Sequence, residues 1–352
     1  MIPSLHINLE KYRHNLLFMH ELLKSRGVTM MAVSKVFCAD QQLIDVINET
    51  KIEYIADSKI ENLKQMRTAK PKVLLRIPQI SEVDDVISYS DISLNSELDT
   101  IYALDHAAMK KNLKHDIILM FDLGDLREGI YYQVDYIPMV KQILELKHIN
   151  LYGIGTNLTC YGGLIPSFDV YKKLETIKQV IEKTFNIQIT LISGGNSSSI
   201  QMIVDHQFPT FINNLRIGEI LVLGRETAYG KHIESMYDDI FELHTEIIEI
   251  KHKPSMPEGE LGCDAFGNKV DFKDEGIMKR AIIGIGRQEV YCENLIAPKG
   301  IRILGCSSDH LIVEIKEGNY KVGDLMIFKL TYAGILSLST SRYMRRVYEN
   351  NL

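Results

Sequence analysis

Between residues 8 and 230, short apolar runs rich in β-formers alternate with amphipathic stretches of helical period. The runs are "VTMMAV" (28–33), "EYIAD" (53–57), "KVLLRI" (72–77), "DISLN" (91–95), "DIILMFDL" (116–123), "NLYGIGTN" (150–157), "QITLIS" (188–193) and "LRIGEILVLG" (215–224). Between them fall "DQQLIDVINET" (40–50), "KIENLKQMRTA" (59–69), "SELDTIYALDHAAMKKN" (96–112) and "SFDVYKKLETIKQVIEKTF" (167–185). In the last of these, Val170, Leu174, Ile177, Val180 and Ile181 recur at helical spacing and mark one buried face. Eight strands with helices between them, over this length, predict an α/β fold: a (β/α)8 TIM-like barrel over residues 8–230. An open doubly wound sheet is the competitor, because periodicity does not report closure, and the count of eight favours the barrel.

After Gly230 the pattern changes. "DIFELHTEIIEIKHKPSM" reads as a strand entering a proline turn, and "EGELGCDAFGNKVDFKDEG" as loop or hairpin. "RAIIGIG", "IRILGCSSD", "HLIVEIK" and "DLMIFKL" are short strands with turn signals between them. Residues 231–352 are therefore expected to form a mainly β C-terminal domain. The opening "SLHINL" either joins that domain as a strand, bringing in residues 1–7, or leads into the barrel.

Composition narrows the partners. With 45% hydrophobic and 24% charged residues the chain has the profile of a soluble globular protein. A formal charge of −6 argues against a nucleic-acid or acidic membrane partner. No apolar stretch approaches the ~18 residues of a membrane span. The N-terminal sequence lacks the features of a signal peptide. Cys38, Cys160, Cys263, Cys292 and Cys306 are odd in number and scattered, which speaks against a disulfide framework and a structural zinc site. A cytoplasmic protein without a metal is expected.

Four strand ends carry the candidate chemistry. "LISGGNSSSI" (191–200) places Ser193, Gly194, Gly195, Asn196 and Ser197 to Ser199 between an apolar strand and a helical pattern. Glycines let the backbone curl around a ligand and the serines add hydroxyl donors, which suits an anion cradle better than a linker. In "LRIGEILVLG", Gly218 interrupts the next run. Barrel phosphate sites often lie in the loops after strands seven and eight, and closure sets strand eight beside strand one. Strand one ends at "AVSK", so Lys35 stands next to the cradle. A lysine there is an ordinary solvated strand end when taken alone; beside a phosphate cradle it suits capture of pyridoxal phosphate by an amine. Arg216 lies in the strand that Gly218 interrupts, where a salt bridge with a carboxylate such as Glu219 is an alternative to a ligand contact. Arg127, in "FDLGDLREGI", follows another strand, as a substrate-carboxylate ligand or a solvated loop arginine.

The segments "AVSK", "ADSKIENLKQMR", "DLGDLREG", "GTNLTCYGG", "SGGNSSSI" and "LRIGEILVLGRET" together resemble the alanine racemase family, with its fold-type III pyridoxal phosphate site. Within that family the similarity is greatest to the ornithine racemase branch. The motifs run in order along the whole barrel, and the β-rich C-terminal region fits the racemases rather than their smaller cofactor-carrier relatives. The resemblance implies that Lys35 carries pyridoxal 5'-phosphate and that Arg216 faces its pyridine nitrogen. It implies that Ser197, with the backbone of Gly218 and Glu219, holds the phosphate, and that Asn157 and Asn196 belong to the cofactor site. Arg127 falls near the substrate carboxylate, and Tyr343 in "STSRYMRRVY" is the choice for a tyrosine reaching the phosphate, with Arg342 one residue away.

Departures from alanine racemase are informative. Met120 stands where those enzymes often carry a carbamylated lysine, Asn157 where they have a ring-stacking histidine, and Arg287, in "GIGRQEV", where they have the catalytic tyrosine. The following loop, "GCSSDH", offers Cys306, Asp309 and His310, so Cys306 and Asp309 are the first candidates for a second acid/base group. The implied activity is racemisation of a small-molecule basic amino acid, ornithine first, by removal and return of the Cα proton on opposite faces. Lysine or broad specificity, a decarboxylase or D-amino acid aldolase, and a non-catalytic cofactor carrier are the alternatives. A homodimer sharing its active sites is expected.

Overall fold

The structure, a computed structural model, describes residues 3–269 and 271–351. The chain divides into two compact units, one of residues 11–238 and one joining the N-terminal segment through Glu10 to the stretch from Asp239 onward.

In the first unit the parallel strands pair in the order Ile92–Asn95, Lys72–Leu74, Tyr54–Asp57, Thr29–Val33, Asn214–Ile217, Leu191–Ser193, Ile149–Gly155 and His115–Asp122. Ile92–Asn95 also pairs with His115–Asp122, so the sheet closes into a barrel of eight. The closing pair that matters most for the site joins the first strand to the last, with Met31 opposite Arg216 and Ala32 opposite Ile217. Met31, Val33, Ala56, Val73, Leu94, Ile118, Met120 and Leu191 pack together as a buried cluster. Helices Gln41–Asn48, Ile60–Gln65, Leu98–Lys111 and Phe168–Phe185 fall in the segments of helical period. Three of these have a visible local boundary: the Asp40 carboxylate accepts from Gln42 N–H, the Ser167 hydroxyl from Val170 N–H, and Asn112 and Asn186 close their helices in the left-handed conformation.

One sequence expectation is corrected. Residues 215–224 are not a single strand; the strand stops at Ile217, and Glu219–Leu223 is a short helix. Ile220, Leu221, Val222 and Leu223 are all buried, and an element buried all round shows no period that separates helix from strand. Gly224, at φ +60° and with its Cα face against the Tyr237 carbonyl, ends the helix where a side chain would be strained. The barrel unit also runs past residue 230, to Asp238. The buried Asn15 amide explains this, because it both donates to Tyr237 O and accepts from Tyr237 N, each at 2.8 Å, and pins that segment to the N-terminal helix.

The second unit is a mainly antiparallel sheet. Its long strand, Phe241–Pro254, pairs with Ile277–Ile283 and Leu325–Leu330, while Leu311–Ile315 joins Ile277–Ile283 to Ile301–Cys306. The opening strand Ser4–Asn8 belongs here, antiparallel to Phe241–Pro254 and parallel to Arg345–Glu349. Alternate residues of Phe241–Pro254 are buried at first (Phe241, Leu243, Thr245 and Ile247), as one covered face requires. Residues 258–269 and 271–276 carry neither helix nor strand; Val270, in the "GNKVDF" stretch, lies outside the described residues.

Candidate active site

Lys35 is aimed by its neighbours. The strand Thr29–Val33 is almost wholly buried, and Ser34 continues it inward, its hydroxyl donating to Asp57 Oδ2 at 2.6 Å. Asp57, itself buried at the end of the adjacent strand, also accepts from Lys59 N at 3.0 Å and Asn62 Nδ2 at 2.9 Å. Burial pushes the Asp57 carboxyl above the usual range against the pull of those hydrogen bonds. With Ser34 held inward and Val36 and Phe37 buried, Lys35 opens a 3-10 turn with its side chain exposed. The next two residues, Cys38 and Ala39, have φ of 52° and 51°. Left-handed non-glycine residues cost about 1–2 kcal/mol each, and two in succession mark a turn held by its surroundings rather than by its own preference.

Beside this turn lies the last strand's end. A Cβ placed on Gly218 would stand 3.2 Å from Val33 Cβ, so glycine lets the two chains approach. The Ser197 hydroxyl receives Gly218 N–H and Ile220 N–H at 3.4 and 3.5 Å, long contacts that leave both amides available to a stronger acceptor. The Asn196 side chain fixes the loop, accepting from Ser198 N at 2.8 Å while donating to Asn157 Oδ1 at 2.9 Å and Leu158 O at 2.8 Å. Tyr171, on the helix Phe168–Phe185, holds the loop from behind: its hydroxyl donates to Gly194 O at 2.6 Å and meets Ser199 Oγ at the same distance. Ser198 Oγ is buried without a hydrogen-bond partner among the described residues.

Arg216 is only 4% exposed. Its guanidinium donates to Thr156 O at 2.6 Å and to the Ser193 hydroxyl. The anticipated alternative, a salt bridge to Glu219, is not what it makes; Glu219 instead accepts from Arg225 Nη2 at 3.3 Å. Burial pulls the Arg216 pKa down to about 10, against support from the Glu128 carboxylate, so the group stays protonated near neutral pH. Thr156 Oγ1 is a second buried hydroxyl with no partner among the described residues.

Arg127 lies in the loop after His115–Asp122 and pairs with Glu128 through two guanidinium nitrogens, one at 2.6 Å. Glu128 in turn accepts from Asn157 Nδ2 at 3.1 Å. Arg127, Asn157 and Asn196 are thus brought into one chain of contacts, joined by Glu128, which the sequence reading did not single out; Ser197 lies next in the same loop but contacts the Gly218 and Ile220 amides instead. Nor did it find Asp125, whose buried carboxylate accepts the amides of Thr159, Cys160, Tyr161 and Leu164 and shapes the "NLTCYGG" loop. A carboxylate in a Gly-flanked loop was its only local signal. Tyr171 had none beyond its place on a helix face.

The remaining candidates sit in the second unit. Cys306 ends the strand Ile301–Cys306, with Arg287 and Cys292 near enough to interact with it electrostatically. Burial, then Cys306, pushes the Cys292 thiol up to about 12. The Arg287 guanidinium stacks on Phe266 at 4.0 Å. Asp309 is exposed and accepts from the Ser307 and Ser308 hydroxyls, each at 3.1 Å, which holds its carboxyl below the usual range. Tyr343 is 54% exposed, with the Arg342 guanidinium 5.1 Å from its ring.

A closed barrel presenting a strained lysine turn, a glycine–serine cradle and a buried arginine on adjacent strand ends defines a fold-type III arrangement. The model of the alanine racemase N-terminal domain matches residues 7–226, and the chain belongs to that family. It is 45% identical over 350 residues to the ornithine racemase of Acetoanaerobium sticklandii, covering 98% of this chain and 99% of that protein. It is 37% identical over 357 residues to the lysine racemase of Thermotoga maritima, covering 99% of each. In fold it is similar to an alanine racemase of Clostridium difficile 630, with a TM-score of 0.75 at 19% identity over 100% of this chain and 97% of that one. An alanine racemase from Bartonella henselae with covalently bound pyridoxal phosphate gives a TM-score of 0.75 at 17% identity, over 99% of this chain and 100% of that one.

Proposed function

We propose that this chain is a pyridoxal-phosphate-dependent racemase of basic amino acids, with ornithine as its substrate. The observation that carries the reading is the 45% identity to an ornithine racemase through both units rather than through the barrel alone. Lysine is the second reading, favoured by the 37% identity to a lysine racemase of the same extent.

The residues present fit the cofactor. Ser198 Oγ and Thr156 Oγ1 are buried hydroxyls without a partner among the described residues, and the Gly218 and Ile220 amides rest on Ser197 at long distance. In this reading Lys35 holds the cofactor, Ser197 with the backbone of Gly218 and Glu219 takes the phosphate, and Asn157 and Asn196 frame it. Pyridoxal phosphate supplies an electron sink that makes the substrate Cα proton removable. With the cofactor bound, Arg216 would be the residue to donate a hydrogen bond to its pyridine nitrogen and, as a guanidinium, would not yield its proton, which would limit that sink and favour reprotonation at Cα over transamination. Arg127 orients the substrate carboxylate, and Tyr343 adds a contact to the phosphate.

Racemisation needs acid/base groups on both faces of Cα. Lys35 serves one. For the other, Cys306 is better supported than Asp309, because it stands beside the Arg287 cation whereas Asp309 is an exposed, weakly basic carboxylate. We assign this group to the second unit of a partner copy, in a homodimer with shared sites. None of the described cysteines is joined in a disulfide, which suits a cytoplasmic setting. Polarimetry across a panel of L-amino acids tests the substrate: rotation should decay with ornithine, more slowly with lysine, and hardly with alanine. Decay with alanine but with neither basic amino acid overturns the reading.

A further inference from the structure

Selecting a basic side chain requires an acceptor for its distal ammonium, and most carboxylates near the lysine end of the barrel are already committed. Asp57 serves Ser34, Lys59 and Asn62; Asp122 accepts the Gly124 and Leu126 amides at 2.8 and 3.2 Å. Asp125 holds four backbone amides, and Glu128 is shared between Arg127 and Asn157. Removing any of these carboxylates disturbs a turn or a loop. Glu219 differs. Among the described residues its hydrogen bond is to Arg225 Nη2, at a long 3.3 Å, and the Arg225 side chain is 39% exposed.

Its position is set by the strand pairing. Ala32 lies opposite Ile217, and Gly218 packs on Val33, so the next steps along both chains bring Glu219 alongside the Ser34–Lys35 turn. The Lys35 ammonium is close enough to act on the Glu219 carboxylate electrostatically. Burial pushes that carboxyl above its usual range, against Arg225 and Lys35, so a further cation at the site would be welcomed. A carboxylate on the first residue after the glycine of an anion cradle is unfavourable for the anion itself, which argues that it is there for something else.

We propose that Glu219 is the specificity-determining carboxylate, accepting the distal ammonium of the basic substrate while Arg225 swings outward. This rests on the racemase reading above. The test compares L-ornithine with L-norvaline, which has the same three-carbon side chain without the terminal nitrogen. In Glu219→Gln holoenzyme, kcat/KM for ornithine should fall about ten- to hundredfold, mainly through KM, as expected for loss of a charged hydrogen bond. Any loss for norvaline, which shares the cofactor contacts but not the ammonium, should be at least about tenfold smaller than the loss for ornithine. Titrating each amino acid against the absorbance of the bound cofactor gives apparent Kd values that should move in parallel, independently of turnover. Equal losses for the two amino acids overturn the role of Glu219 and leave the racemase reading standing. Failure of the wild-type enzyme to racemise any basic amino acid overturns both. Should Glu219→Gln not retain cofactor, Glu219→Asp decides: withdrawing the carboxylate by one methylene should lower the ornithine-to-norvaline ratio, and an unchanged ratio with cofactor bound rejects the proposal.

Discussion

Ser34 shows how a single hydrogen bond can determine where a reactive side chain goes. Its hydroxyl is drawn to the buried Asp57, so the chain must turn at Lys35, and the two left-handed residues that follow are the cost of turning there. That Lys35 closes an apolar run was visible in "VTMMAVSK", because a buried strand ends where its apolar run ends. Asp57 was not visible as its anchor, since the two residues meet only through the pairing of neighbouring strands. Arg216 was likewise placed by its strand and Ser197 by the loop that follows one, but their partners, Thr156 and the amides of Gly218 and Ile220, come from other parts of the barrel. Attachment of the cofactor to Lys35 is open to direct chemistry. Borohydride reduction of the holoenzyme followed by peptide mapping should place the pyridoxyl mass on the peptide containing Lys35. Recovery on Lys59 or another lysine would mean that the turn has some other purpose.

The helix Phe168–Phe185 and the loop 193–199 show the same logic one level up. The helix was clear from its apolar period and its Ser167 cap, and the loop from its glycines and serines. Their coupling through the Tyr171 hydroxyl was not, because a tyrosine at a core position of an amphipathic helix reads as packing. The helix Glu219–Leu223 was hidden for a related reason: complete burial erases the polar face that distinguishes helix from strand. Tyr171→Phe tests the coupling. Removing the hydroxyl leaves the buried Gly194 carbonyl and Ser199 hydroxyl short of a partner, at an expected cost of about 1–3 kcal/mol in urea unfolding of the cofactor-free protein. Because the affected loop forms the cradle, the dissociation constant for pyridoxal phosphate should rise as well. A variant that loses stability but binds the cofactor with unchanged affinity would show that the loop keeps its shape without the tyrosine.

At the scale of the whole molecule, the barrel was legible from the count and order of its strands, and the second unit from its turn-rich β pattern. Sequence order alone did not decide that Ser4–Asn8 crosses back to pair with Phe241–Pro254 and Arg345–Glu349, because that pairing spans nearly the full chain. The same holds for the second acid/base group, whose segment lies far along the chain from Lys35. If the group is Cys306 of a partner copy, each site of the dimer draws on two chains. Mixing Lys35→Ala chains with Cys306→Ala chains, each inactive alone, then creates hybrids with one doubly defective site and one intact site. Activity should reappear after subunit exchange and approach about a quarter of the wild-type value at equal mixing, since random pairing makes half the dimers hybrid and each hybrid carries one working site of two. Both parents must be shown to fold and to exchange, by unfolding curves and by differential tagging. Hybrids that form yet stay inactive would place Lys35 and Cys306 in the service of the same chain's site, and the shared-site assignment would be wrong.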